Sequence, residues 1–261
     1  MTAWVGTSGW QYRDWRGRFY PERLATARWL EHYVERFATV EVNNTFYMLP
    51  PASTFARWAE RTPADFVVTV KANRYLTHVR RLRDPDDAVR RFLDAAAPLG
   101  AKLGPVLVQL PPNLPADLGR LDATLAAFAG AGGGRLRVAV EPRHETWFTD
   151  ATYDLLARRG AALVVADRRN RPTPVVRTAP WAYLRLHEGR ASPRPCYGRA
   201  AIEAWADRLA GTWSTGEDVY AYTNNDPGAC APRDAALLAL ALARRGFPTT
   251  RVPVAAHVRV G

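Results

Sequence analysis

Eight short apolar runs follow one another along this chain, and each closes on a polar residue of the same facing parity. The runs are residues 4–8, 39–43, 66–71, 106–109, 136–141, 162–167, 181–187 and 219–224. Their closing residues are Ser8, Asn43, Lys71, Gln109, Glu141, Asp167, His187 and Asn224. Runs of this length read as strands, and helical patterns between them impose parallel pairing. Eight parallel strands with intervening helices predict a single α/β domain over 1–261, a (β/α)8 TIM barrel. That fold typically takes about 250 residues, and this chain has 261. It also keeps its chemistry at the C-terminal strand ends, where the eight polar residues fall.

The segments between the runs carry helical spacing. In 27–37, Trp29, Leu30, Tyr33, Val34 and Phe37 recur at the interval of one helix face. Asp84-Pro85-Asp86-Asp87 reads as a helix start, with Asp84 as cap and Pro85 in the first turn. Further helices are expected over 118–128, 149–159, 199–209 and 232–245, the last stopped by Gly246. One connection breaks the pattern: residues 168–180, RRNRPTPVVRTAP, contain three prolines and predict an irregular crossover after the sixth strand. A doubly wound open sheet is disfavoured, since GTSGWQY after the first strand lacks the GxGxxG spacing.

Strand parity separates an apolar face from a polar one. Val40 and Val42 oppose Glu41 and Asn43; Ala182, Leu184 and Leu186 oppose Tyr183, Arg185 and His187; Val219 and Ala221 oppose Tyr220, Tyr222 and Asn224. The apolar faces suit packing against helices, so the polar faces point into the barrel. The reverse register would leave Glu41 and Arg185 as unpaired ions under helices, at a cost of several kcal/mol. Glu41 and Arg185 then sit one layer below the strand ends, where each needs a partner.

Glu141, Asp167, His187 and Lys71 are the candidate catalytic residues. His187 has the ordinary pKa suited to proton transfer near neutrality. Lys71 either holds a substrate oxyanion or, if desolvated, acts as base or nucleophile. Glu41, Asn43, Gln109, Arg143, Arg185 and Asn224 are candidate substrate-binding groups, joined by Tyr47 and Trp10 among the loop aromatics. His78 on the loop after the third strand ranks behind them, and Asp226 in Asn224-Asn225-Asp226-Pro227 reads as a turn cap. Glu141, Asp167 and His187 on successive strands also suit a divalent metal, although no HExxH-type motif supports one and no cofactor is expected.

The formal net charge is +11, and only Lys71 and Lys102 are lysines. The arginine excess fits an anionic partner such as nucleic acid; it fits equally well a GC-rich coding bias. The two cysteines, Cys196 and Cys230, are far apart and in no CxxC pattern, so neither a disulfide framework nor a zinc site is expected. The start MTAWVGTSGW lacks a basic n-region and an apolar h-region, so no signal peptide is expected, and no apolar stretch reaches the roughly 18 residues of a membrane helix. A cytoplasmic protein without a membrane partner is the expectation.

The segments GTSGW (6–10), FYP (19–21), VEVNNTFY (40–47), QLPP (109–112), EPRHETW (141–147), YLRLHE (183–188) and YTNND (222–226) resemble the YecE-like family, a barrel family of unknown function. The resemblance spans nearly the whole chain in order and implies the same barrel. It implies no reaction. Glu188 departs from the glycine more usual in the family. From the residues themselves, the expected function is an enzyme with an acid–base pocket for an anionic, phosphate-bearing substrate. Arg185, Lys71 and Arg143 would bind the anion, and hydrolysis or elimination at a phosphoester fits this cast. A metal-dependent sugar isomerase or endonuclease-like barrel is one alternative; a non-catalytic nucleic-acid-binding protein is another.

Overall fold

All eight runs become strands. In the computed structural model, which describes residues 1–168 and 172–261, these are β1 (Ala3–Thr7), β2 (Thr39–Val42), β3 (Val67–Lys71), β4 (Leu103–Gln109), β5 (Val138–Glu141), β6 (Ala162–Asp167), β7 (Trp181–Leu186) and β8 (Asp218–Thr223). Their order closes β1-β2-β3-β4-β5-β6-β7-β8 into a barrel, with parallel pairing. Lys71, Gln109, Glu141 and Asp167 are the last residues of their strands. Ser8, Asn43, His187 and Asn224 each follow their strand by one residue. β2, β5 and β7 are buried along their whole length, as strands covered on both faces must be.

The helices are α1 (Trp29–Arg36), α2 (Asn44–Tyr47), α3 (Ala52–Glu60), α4 (Pro85–Ala96), α5 (Leu118–Ala131), α6 (Asp150–Arg158), α7 (Arg199–Ala210) and α8 (Cys230–Ala243). α1 is shorter than its periodicity suggests, because Thr26–Arg28 forms a separate 3-10 turn. α4 starts at Pro85 as expected, but Asp84 does not cap it. Asp84 adopts a left-handed conformation, φ 44°, and its carboxylate is taken by Arg80. Thr149 does cap α6, accepting a hydrogen bond from the Thr152 amide. Gly246 ends the chain's last long helix in a left-handed conformation, φ 84°. Residues 172–180 of the crossover after β6 contain no helix, and Arg169, Asn170 and Arg171 of that crossover lie outside the described residues.

Contacts divide the chain into two compact units. One comprises Met1–Glu41 with Val165–Gly261, the other Val42–Val164. Within the first, β1 approaches the start of β2 so closely that a Cβ on Gly6 would lie 2.4 Å from the Thr39 carbonyl oxygen. Tyr33 of α1 ties the same two strands, donating to the Thr39 carbonyl at 3.0 Å and accepting from the Thr7 amide at 3.1 Å. Within the second, Gln109 stands beside Glu141 in the β4–β5 register, and Lys71 beside Leu107 in β3–β4.

The cysteine expectation is corrected here. Cys196, in the loop after β7, and Cys230, the first residue of α8, form a disulfide across 34 residues of sequence. Their separation along the chain hid a closeness that only the tertiary fold creates. Among the described residues, no helix is long and apolar enough to cross a membrane.

Candidate functional site

In the unit of Val42–Val164, the ends of β3, β4 and β5 carry Lys71, Gln109 and Glu141. Lys71 is buried, and its Nζ donates to Gln109 Oε1 at 2.8 Å. It also stands 4.0 Å from the centroid of the Phe46 ring, a cation–π contact from α2. α2 is held over β3 by Thr45, whose hydroxyl donates to the Lys71 carbonyl at 2.7 Å. Lys71 sets the orientation of the Gln109 amide, because the opposite flip would press an NH2 group against the ammonium. Gln109 Nε2 therefore points away from Lys71. Gln109 is only 4% exposed, and this nitrogen has no acceptor among the described residues. Leaving such a donor unmet costs about 1–3 kcal/mol.

Glu141 is fully buried and accepts from Arg143 Nε and Nη2, both at 3.3 Å. His78 packs its ring edge against Phe46, centroids 4.9 Å apart, and bonds Thr77 Oγ1 through Nδ1 at 2.8 Å. Its pKa is pushed down to about 4, by burial first and then by the positive charges of Lys71, Arg143 and Arg74. His78 is thus neutral at pH 7 and reports a positive field at these strand ends. Its place beside Phe46 depends on the turn at Tyr75–Val79.

The other unit contains a different constellation. Glu41 is fully buried; its Oε1 accepts from Ser8 Oγ at 2.6 Å and Arg185 Nη2 at 2.8 Å, and its Oε2 from Tyr183 at 2.6 Å and Arg185 Nε at 2.9 Å. Burial works to raise this carboxyl's pKa. The Arg185 charge, with the hydrogen bonds from Arg185, Ser8 and Tyr183, overrides it and keeps Glu41 below its ordinary value. Tyr183 stays protonated, held well above its ordinary pKa by burial and by the Glu41 charge. Glu41 and Arg185, each of which needs a partner at that depth, pair with each other. Arg185, expected to bind the substrate anion, instead directs Nε and Nη2 at Glu41.

Beyond this pair, Asn224 Nδ2 donates to His187 Nδ1 at 3.0 Å, and Asp167 Oδ2 accepts from the Tyr197 hydroxyl at 2.8 Å. Asp226 is more than a turn cap. Its pKa is pushed up to about 7, chiefly by burial; Glu41 adds to the rise, while a Tyr12 hydrogen bond and Arg185 oppose it. A carboxyl that titrates near neutrality can exchange protons at physiological pH. Of the expected aromatics, Trp10 is buried and Tyr47 lies 72% exposed at the end of α2. Asn43 occupies the cap position of α2 without a capping bond from its side chain. Among the described residues, no three His, Cys, Asp or Glu side chains stand together in a group that could hold a metal ion.

A family model described as "Protein of unknown function DUF72" matches residues 4–256. The chain belongs to this family. Among DUF72-related proteins, UPF0759 protein YecE of Escherichia coli K12 is 31% identical over 172 residues, 64% of this chain and 59% of that protein. UPF0759 protein YunF of Bacillus subtilis 168 is 29% identical over 157 residues, 58% of this chain and 54% of that protein. The aligned part thus spans under two thirds of either relative. A DUF72 family protein from Thermotoga maritima superposes with a TM-score of 0.76 at 26% identity, covering 91% of this chain and 98% of its own. One from Enterococcus faecalis shares the fold at a TM-score of 0.75 and 19% identity, covering 93% and 96%. The YecE-like resemblance and the barrel both stand; the family carries no assigned reaction.

Proposed function

We propose that this DUF72 barrel is an enzyme acting on an anionic, phosphate-bearing substrate, and that the ends of β3, β4 and β5 receive the anion. The observation that carries this reading is Gln109 Nε2, a buried donor without an acceptor among the described residues, fixed in direction by Lys71. A phosphate oxygen there would satisfy the amide and meet the positive charges of Lys71, Arg143 and Arg74, which add to burial in lowering the His78 pKa. Lys71 supplies the charge, and Arg143, partly exposed and bonded to Glu141, lies in the same field. Glu141 orients Arg143 and is the carboxylate available for proton transfer. Neutral His78 is a second proton acceptor or donor.

The test is phosphate binding by calorimetry and thermal shift, with Gln109→Glu as the decisive variant. A carboxylate at 109 would pair with Lys71 and cancel the orphaned donor, so the variant keeps its fold while losing the anion. The wild type is expected to gain thermal stability with inorganic phosphate, as any ligand of the native state gives. Gln109→Glu should weaken that binding by roughly tenfold or more, the scale of a charge-assisted hydrogen bond. Equal binding by both proteins would remove the strand ends of β3–β5 from consideration.

A further inference from the structure

We propose that a cavity in the unit of Met1–Glu41 and Val165–Gly261, apart from the Lys71–Gln109 cluster, binds a phosphorylated sugar. The cavity has a volume of about 590 Å³, and its described lining is drawn from the end of β6 and the crossover after it, the loop after β7, and α7, so it shares no residue with the Lys71–Gln109 cluster. That volume lies within the roughly 300–1,000 Å³ usual for small-molecule sites. Three kinds of lining group meet there. Arg190 and Arg194 bring positive charge, Asp167 and Glu188 bring carboxylates, and Tyr197 and Trp205 bring apolar ring surface.

The arginines are the informative part. Elsewhere on this unit Arg177 pairs with Glu217, and Arg244 and Arg245 pair with Glu203. Arg190 and Arg194 are exposed and make no ion pair among the described residues, although Asp167 and Glu188 line the same cavity. Two exposed guanidiniums lining one cavity suit bidentate contact with a phosphate. Carboxylates accept hydrogen bonds from hydroxyl groups, and buried ring faces suit the C–H face of a sugar.

The loop that presents the arginines is pinned before any ligand arrives. The Gly189 amide donates to the Pro195 carbonyl at 2.8 Å and the Ala191 amide to the Cys196 carbonyl at 3.0 Å. A Cβ on Gly189 would stand 2.1 Å from the Cys196 carbonyl oxygen, so the two arms of the loop touch where only glycine fits. The Cys196–Cys230 disulfide ties the loop to α8. The Tyr197 amide donates to Asp234 Oδ2 at 2.7 Å. The Tyr197 hydroxyl, in turn, accepts from the Glu188 amide at 3.0 Å and donates to Asp167 at 2.8 Å, which fixes both carboxylate-bearing residues relative to the loop. Prepaid order of this kind raises affinity by reducing what binding must immobilise.

The experiment is calorimetric titration of the intact chain with ribose 5-phosphate, and separately with ribose and with inorganic phosphate. It is run on the wild type, Gln109→Glu, Arg190→Ala/Arg194→Ala and Glu188→Gln. Ribose 5-phosphate should bind Gln109→Glu as well as it binds the wild type, whereas the double arginine variant should lose at least tenfold. Glu188→Gln should weaken ribose 5-phosphate severalfold and leave inorganic phosphate unchanged. As a measurement independent of any variant, ribose 5-phosphate should protect Arg190 and Arg194 from phenylglyoxal, read by peptide mass spectrometry. Absence of binding to Gln109→Glu, or binding indifferent to the arginine pair with no protection, overturns the proposal. Loss of inorganic phosphate alone in Gln109→Glu bears only on the β3–β5 site, so the two readings fail separately.

Discussion

Replacing Asp226 by Asn should stabilise the protein, and the gain should depend on pH. The carboxyl is partly buried, and its Oδ1 has no hydrogen-bond partner among the described residues. Its pKa rises from an ordinary 3.8 to about 7, with burial as the main cause. The native state therefore keeps the proton up to about pH 7, while the unfolded chain releases it near 3.8. Between those limits the native state binds more protons, so stability falls as pH rises. Each pH unit is worth 1.36 kcal/mol, so the full effect is about 4 kcal/mol, an upper bound given the side chain's partial exposure. Asn mimics the protonated acid and never ionises.

Urea denaturation of both proteins at pH 4, 5.5, 7 and 8 gives the difference directly. At pH 4 the two should be nearly equal. The advantage of Asp226→Asn should then grow steadily and level off above pH 7. A constant difference at every pH would refute the reasoning, because it would leave no differential proton binding at Asp226. A less stable Asn variant at pH 8 would refute it more sharply, by showing that the ionised carboxylate is held favourably.

Other perturbations read other parts of the fold. Glu41→Gln or Arg185→Met alone should cost roughly 3–5 kcal/mol in chemical denaturation by stranding a buried charge, and the double variant should recover much of that loss. Gly6→Ala should destabilise by roughly 1–3 kcal/mol, since the new Cβ meets the Thr39 carbonyl in the β1–β2 seam; a neutral melting temperature would contradict that packing. Cys196→Ser/Cys230→Ser should lose about 2–4 kcal/mol relative to the oxidised wild type and weaken ribose 5-phosphate binding through the freed loop, and the reduced wild type should behave like the variant in both measurements.

Much of the barrel was legible because its signals are local. Apolar run and polar stop recur eight times, with helical spacing between most of them, and parity alone placed Glu41, Tyr183 and Arg185 on one face, where they meet. Long-range signals fared differently. Nothing in a separation of 34 residues says that Cys196 and Cys230 touch, because a loop after β7 and the start of α8 become neighbours only once the helices have packed. Asp226 looked like turn chemistry, since burial, the force that shifts it, has no sequence signature at a turn.

His78 and Gln109 make the same point from the functional side. A histidine on a loop and an amide at a strand end are ordinary in isolation. What distinguishes them is relational: Lys71 turns the Gln109 amide so that a donor is left over, and burial, with three nearby cations adding to it, keeps His78 neutral. The parity reading had assigned anion binding to Arg185, Lys71 and Arg143 by charge alone. The packing separates them. Arg185 is matched by a fully buried carboxylate at full hydrogen-bond strength, so recruiting it for a substrate would strand Glu41. Arg143 meets Glu141 only at 3.3 Å from a partly exposed position, which leaves it freer to turn. An anion should therefore depend on Arg143 more than on Arg185 for direct contact. Arg143→Ala should weaken phosphate and cost less stability than Arg185→Met, because its contacts to Glu141 are longer and partly exposed, whereas Arg185→Met should act first on folding; the opposite ordering would return the anion to Arg185.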